Sequence, residues 1–246
     1  MIISKKFARV KMKKWTKRRT WKKTSVKKVG KSFQVYLDDR ALLTPKKNRL
    51  CLPTWKLAVK VVEEWDQHED FIDPSKMVIT RLVNSAIDKV KQNCDAVISD
   101  LLNYGDTDLL CYRTESPKEL VLKQHKYWDP ILVWAKKELS IDLKTTCGIT
   151  YIAQDSNQIK RIAEEITSYD SFALTGFYDL VTISGSILVA FSLYHGQIST
   201  DHAIDISFLD EDWQREKWGL DKESTLNRNN KSVDLKTAYQ FVTLLS

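Results

Sequence analysis

Asp106 and Asp108 stand two residues apart, shortly before Arg113, in the stretch GDTDLLCYR. This is the arrangement in the chain best suited to acid–base chemistry, because paired carboxylates can act as acid and base when their surroundings differ. The competing reading is a local charge pair with Arg113 that braces the loop, and it is favoured, since structural ion pairs perturb carboxylates as readily as catalysis does. A second cluster, Asp66, His68, Glu69, Asp70 and Asp73, offers metal-ligating atoms. No pair of histidines four apart on a helix accompanies it, so a solvated acidic loop is expected. His195 and His202 flank a loop without a third ligand by spacing, and read as core or surface residues. Asp210, Glu211 and Asp212 are consecutive, followed by Trp213, Gln214 and, further on, Trp218. Successive helical residues point about 100° apart, so these three carboxylates cannot share one pairing. One or two must face solvent or a partner, and a solvated acidic face is the generic explanation.

The motifs that hold nucleotides are missing. Neither a G-x-x-x-x-G-K-[ST] nor a G-x-G-x-x-G occurs among the 7 glycines, and there is no G-x-S-x-G. No cofactor, no metal and no catalysis are expected. The 4 cysteines, Cys51, Cys94, Cys111 and Cys147, lie far apart without a C-x-x-C. Reduced thiols are therefore expected, which suits a cytoplasm or an organellar matrix.

Charge is segregated. Residues 1–32 hold 14 Lys and Arg and no acid, leaving 25 basic against 32 acidic residues in the remainder. The pI of about 9.1 thus describes a basic arm on an acidic body. Three readings fit the arm: a solvated segment, a nucleic-acid contact in which Trp15 and Trp21 stack bases, or an organellar import signal. The longest uncharged run, Leu180 to Thr200, contains Ser184, Gly185, Ser186, Ser192, His195, Gly196 and Gln197. A buried helix accounts for it better than a membrane span.

Around these residues the chain reads as α+β. Phe33, Val35 and Leu37 alternate with Ser32, Gln34 and Tyr36. Turns at Asp38-Asp39-Arg40 and Pro45 to Asn48 make an antiparallel meander. Thr54 caps a helix whose expected face is Trp55, Ala58, Val62 and Trp65, with Trp65 a structural residue of that seam. Helices follow over 75–90, with Ile79, Leu82, Val83 and Ala86 inward, and over 95–104, with Gly105 placed to end the second. Ser116-Pro117-Lys118-Glu119 predicts a capping box opening a helix with Trp128, which Pro130 interrupts as a kink. Further helices are expected over 156–169, 171–194, 200–218 and 232–245. The expected domains are a basic arm, 1–19, a small β-rich domain, 20–74, and an all-helical domain, 75–246.

GDTDLLCYR followed by the Trp128-Asp129-Pro130 helix resembles the assembly chaperones that bind the alpha subunit of the F-type ATP synthase. The flanking motifs recur in the same order: EWDQ (Glu64 to Gln67), MVITRLVNSAID (Met77 to Asp88), LDEDWQ (Leu209 to Gln214) and KWG (Lys217 to Gly219). The resemblance covers roughly residue 20 to residue 219. It implies a non-enzymatic, monomeric chaperone that keeps the unassembled alpha subunit from aggregating until the beta subunit replaces it. An acidic residue of the Asp210–Asp212 helix, Glu211 or a neighbour, would serve that role, and Asp210, Glu211, Asp212, Trp213, Gln214 and Trp218 form the expected partner-binding set. Trp65, Asp106, Asp108, Arg113, Trp128 and Pro130 are the expected structural set. Bacterial cytoplasm is the expected compartment, with the mitochondrial matrix as alternative. No membrane insertion is expected. The rival is a nucleic-acid-binding protein that uses the basic arm; the acidic body opposes it by repelling phosphate. An enzyme built on Asp106 and Asp108 is the third reading.

Overall fold

A computed structural model describes residues 18–219 and 222–246. The basic arm up to Lys17 lies outside the described residues. The architecture is α+β, and the chain divides into two compact units, Met1–Asn84 and Ser85–Ser246.

In the first unit, strands β1 (Thr24–Val29), β2 (Ser32–Leu37), β3 (Arg40–Ala41) and β4 (Cys51–Leu52) form a 4-stranded sheet. β2 pairs antiparallel with each of the other three, so it is the strand the sheet is built on. Helix α1 (Trp55–Asp66) packs on this sheet and starts at Thr54, whose hydroxyl accepts the Leu57 N–H at 3.1 Å. Its buried face is Leu57, Ala58, Val61 and Glu64, so the expected face is displaced. Trp55 is 52% exposed against Phe33, and Trp65 is half-buried, edge-on to Trp21 at 5.2 Å. The displacement has a cause. The buried Glu64 carboxylate accepts the N–H groups of Ile79 and Thr80, each at 2.7 Å, and so caps helix α2 (Val78–Asp88). A helix start has unpaired N–H groups and a positive dipole end, and burying Glu64 supplies both partners. The division between units therefore falls within α2, beyond the expected Pro74.

Arg18 and Arg19, placed in the arm by charge, belong to this unit. Arg18 bridges to Phe71, and the Arg19 guanidinium donates to the carbonyls of Trp21 at 3.1 Å and His68 at 2.8 Å and to Asp66 at 3.2 Å.

The second unit is helical: α3 (Cys94–Asp106), α4 (Lys118–Trp134), α5 (Ser156–Thr167), α6 (Ser171–Ser184), α7 (Ile187–Tyr194), α8 (Thr200–Ser207), α9 (Leu209–Trp218) and α10 (Lys222–Thr243). Strands β5 (Tyr112–Arg113) and β6 (Thr146–Cys147) add a short parallel pair. The apolar run resolves into α6 and α7, broken at Gly185 (φ +74°), whose left-handed backbone glycine adopts without strain. Ser186 recaps the chain by accepting the Val189 N–H at 3.1 Å. Both helices lie in the core with Phe177, Leu180, Val181, Phe191 and Leu193. Among the described residues no helix is long and apolar enough to cross a membrane.

Four local expectations change. Gly105 lies inside α3, where a Cβ would meet the Ile162 side chain at 2.8 Å, so it serves the α3–α5 approach and ends nothing. The capping box does not form: Pro117 is the N-cap residue, without a side-chain hydrogen bond, and Glu119 pairs with Lys217 at 2.7 Å. α4 runs on through Pro130, which is exposed, as is Lys126, so water can reach the carbonyl that proline leaves unbonded. The helix expected over 200–218 is two, α8 and α9, meeting at Phe208.

Candidate functional site

The site is assembled from α9 and the helices beside it, and its geometry follows from the order Asp-Glu-Asp-Trp at the start of α9. The divergence of successive helical positions sends these side chains to different surroundings. Asp210 turns to α4, where the Gln124 amide donates to its oxygens at 2.9 and 3.2 Å. Burial raises its carboxyl above the usual range, opposed by the Gln124 hydrogen bond and the charge of Arg113. Glu211 is exposed and makes no hydrogen bond or ion pair among the described residues. Asp212 turns to α10, accepting from Arg228 at 2.9 Å and from Arg215 one turn on. Trp213 is buried, Gln214 is exposed, and Trp218 is 76% exposed with its ring 6.0 Å from that of Trp213.

Ion pairs fasten α9 to α4: Lys123 to Glu216 and Lys217 to Glu119, both at 2.7 Å. Beneath them Trp128, 1% exposed, donates its indole N–H to the Ile206 carbonyl of α8 at 3.0 Å. The Arg113 guanidinium carbon lies 5.1 Å from the Trp128 ring centre, its Nε donates to the Leu110 carbonyl at 2.8 Å, and it pairs with Asp129 at 2.9 Å. Leu109, Trp128, Ser207, Asp210, Glu211 and Gln214 line a pocket of about 300 Å³.

The structure separates the paired aspartates from each other's work and from Arg113. Asp108 is wholly buried and accepts from Ser186 Oγ at 2.8 Å, Leu110 N at 2.9 Å and Leu188 N at 3.1 Å, so it holds the start of α7. Burial pushes its pKa up to about 6 against those donors. Asp106 accepts the Gln154 N–H at 3.0 Å and the Tyr151 hydroxyl. The expected local pair with Arg113 is replaced by Arg113–Asp129, because the start of α7 takes Asp108 and the segment before α5 takes Asp106.

The acidic segment 66–73 is equally occupied. The ring nitrogens of His68 face the Glu64 and Asp73 carbonyls at 2.8 and 3.2 Å, Asp66 pairs with Arg19, and Asp73 accepts the Ser75 N–H at 3.0 Å. Among the described residues no group of three or more His, Cys, Asp or Glu side chains is placed to hold a metal ion. His195 meets Glu165 at 3.3 Å, and His202 lies 6.0 Å from the Tyr127 ring.

Of the expected partner-binding set, Asp210, Glu211 and Gln214 come together at the pocket, Trp218 stands exposed beyond it, and Asp212 and Trp213 turn inward to structural partners. Leu109, Ser207 and Gln124 were not anticipated. Gln124 had a legible signal, since it interrupts the buried α4 stripe Leu120, Gln124, Trp128 and Ile131, and a polar residue there needs a partner.

Known proteins resemble this chain in sequence and in overall fold. A family model described as ATP12 chaperone protein matches residues 18–136. The solved structure of a point mutant of P. denitrificans Atp12p is 37% identical, with a TM-score of 0.92, covering 95% of this chain and 100% of that one. Atp12 from Paracoccus denitrificans is 38% identical at a TM-score of 0.90, covering 93% and 98%. The mitochondrial protein atp12 of Schizosaccharomyces pombe is 27% identical over 214 residues, 82% of this chain and 74% of that protein.

Proposed function

The chain belongs to the ATP12 chaperone family, and from that premise we propose that its client is the unassembled alpha subunit of the F-type ATP synthase. It acts as a monomer that holds the alpha subunit and keeps it from aggregating until the beta subunit takes its place. A lone alpha subunit exposes surfaces meant for its neighbours, and contiguous apolar patches of that kind aggregate. Holding is a task of binding and release, without catalysis. An interface of ordinary size with a few aromatic anchors suits it. The compartment is a bacterial cytoplasm, or alternatively a mitochondrial matrix, where the exposed free thiol of Cys147 would stay reduced.

The observation that carries the reading is the outer face of α9. An exposed carboxylate without a partner among the described residues, Glu211, and a large exposed aromatic, Trp218, sit on a helix otherwise tied down on both sides. Exposed tryptophan is the residue type that dominates binding energy at protein interfaces. The test is the aggregation of isolated alpha subunit, followed by light scattering. Glu211→Lys should melt within about 0.5 kcal/mol of the parent, as exposed substitutions do, yet lose most of the protection. Equal protection by Glu211→Lys would remove α9 from the client surface.

A further inference from the structure

We infer that the pocket beside α9 receives a cationic side chain, a lysine or arginine projecting from the client. This rests on the client reading above and adds the chemistry of the contact. The argument starts from which charges are already matched. Four basic side chains of α4, α9 and α10 are committed elsewhere: Lys123 to Glu216, Lys217 to Glu119, and Arg215 and Arg228 to Asp212. Arg113 pairs with Asp129 and donates its Nε to the Leu110 carbonyl, and it reaches Asp210 by charge alone, without a hydrogen bond. Among the described residues two carboxylates at the pocket have no ion-pair partner: Asp210, which accepts from the Gln124 amide, and Glu211, which has no hydrogen bond either.

These two carboxylates are set at a cavity, and the cavity has the right walls. Leu109 offers apolar surface for an alkyl stem at a wall backed by the buried Trp128, while Ser207 and Gln214 add polar groups at the lining. A volume of about 300 Å³ accommodates one long side chain and excludes a folded element. Asp210 is already partly stripped of water, so an arriving cation gains its attraction in a medium of low polarity while much of the desolvation has been met by folding. Arginine and lysine are built for such a place, with a long apolar stem and a charged head. An anionic or purely apolar group would leave both carboxylates unmatched.

The experiment uses the whole chain and small probes. N-acetyl-arginine amide and N-acetyl-lysine amide are titrated against the isotope-labelled protein, with N-acetyl-norleucine amide as the uncharged control, and backbone amide shifts are read by NMR. The charged probes should shift Leu109, Ser207, Glu211 and Gln214, the norleucine probe should not, and Asp210→Asn with Glu211→Gln should abolish the response. Asp210→Asn keeps an acceptor for Gln124, so the fold is retained. In parallel, the double variant should capture the alpha subunit about tenfold or more weakly than the parent, as expected when matched charges are removed from an interface. Absence of shifts at these amides, or equal shifts from norleucine, overturns the inference. Capture by the double variant equal to the parent's also overturns it and leaves the client reading standing. If the parent itself captures no alpha subunit, the client reading fails, and the probe titration still decides the pocket.

Discussion

Glu64 offers the sharpest test of the physical account of the first unit. Its carboxylate is buried and receives the Ile79 and Thr80 N–H groups at 2.7 Å, one on each oxygen. Glu64→Ala removes both acceptors and leaves two N–H groups at a helix start without partners. A hydrogen bond to a charged group is worth about 1.5–3 kcal/mol, and the lost interaction with the helix dipole adds about 0.3–1 kcal/mol. Relief of the buried charge offsets part of this, so a net loss of about 3–5 kcal/mol is expected, in line with removing one member of a buried charged pair. That is a large share of a typical total of about 5–15 kcal/mol. Glu64→Gln keeps one acceptor but turns its amide N–H₂ toward the other N–H, and should cost roughly half as much, since one of the two bonds survives. The assay is urea unfolding together with hydrogen exchange at the Ile79 and Thr80 amides. Those two amides should lose protection first and most in Glu64→Ala. A loss below about 1 kcal/mol with unchanged exchange at both positions would refute the capping argument.

Two further outcomes follow from buried or basic groups. The Asp108 carboxyl is raised from 3.8 to about 6 by burial, so the fold retains a proton there that the open chain has released. Its stabilisation is therefore fully present below 3.8 and lost as pH rises from there to about 6, by up to about 1.4 kcal/mol per pH unit in that window. The stability of the parent relative to Asp108→Asn should fall between roughly pH 4 and pH 6 and level off above, and a flat difference in urea titrations would contradict this assignment. At the other end, deleting residues 1–17 should leave the melting temperature nearly unchanged. Arg19→Ala, which removes donors to the Trp21 and His68 carbonyls and to Asp66, should cost about 1–3 kcal/mol. Scanning calorimetry of the two variants separates arm from body, and equal effects would refute the boundary.

Much of this molecule was legible where one interaction dominates. The β2 alternation, the Thr54 cap and the apolar faces of α2, α3 and α5 follow from burial periodicity and local capping, which act over a few residues. What escaped was decided by distant partners. Glu64 reads as a surface acid in a charged stretch, and only the start of α2, fifteen positions on, explains its burial. Asp106 and Asp108 look like a pair because they are neighbours in sequence, yet one caps α7 and the other holds Gln154. The breaks at Gly185 and Phe208 sit inside continuous helical patterns, where periodicity carries no punctuation. For α9 the divergence of the three carboxylates was foreseeable, while the surroundings that α4 and α10 give to each were not. Gln124 and Ser207, at the pocket, belong to neighbouring helices and carry no motif.

The central claim is client choice, and one competitive capture measures it. The immobilised chain is offered alpha and beta subunits of the F-type ATP synthase, first singly and then together, and the bound protein is quantified. The account predicts retention of the alpha subunit alone, no retention of the beta subunit alone, and release of the alpha subunit when the beta subunit is added. Retention of the beta subunit, of both together, or of neither would contradict it.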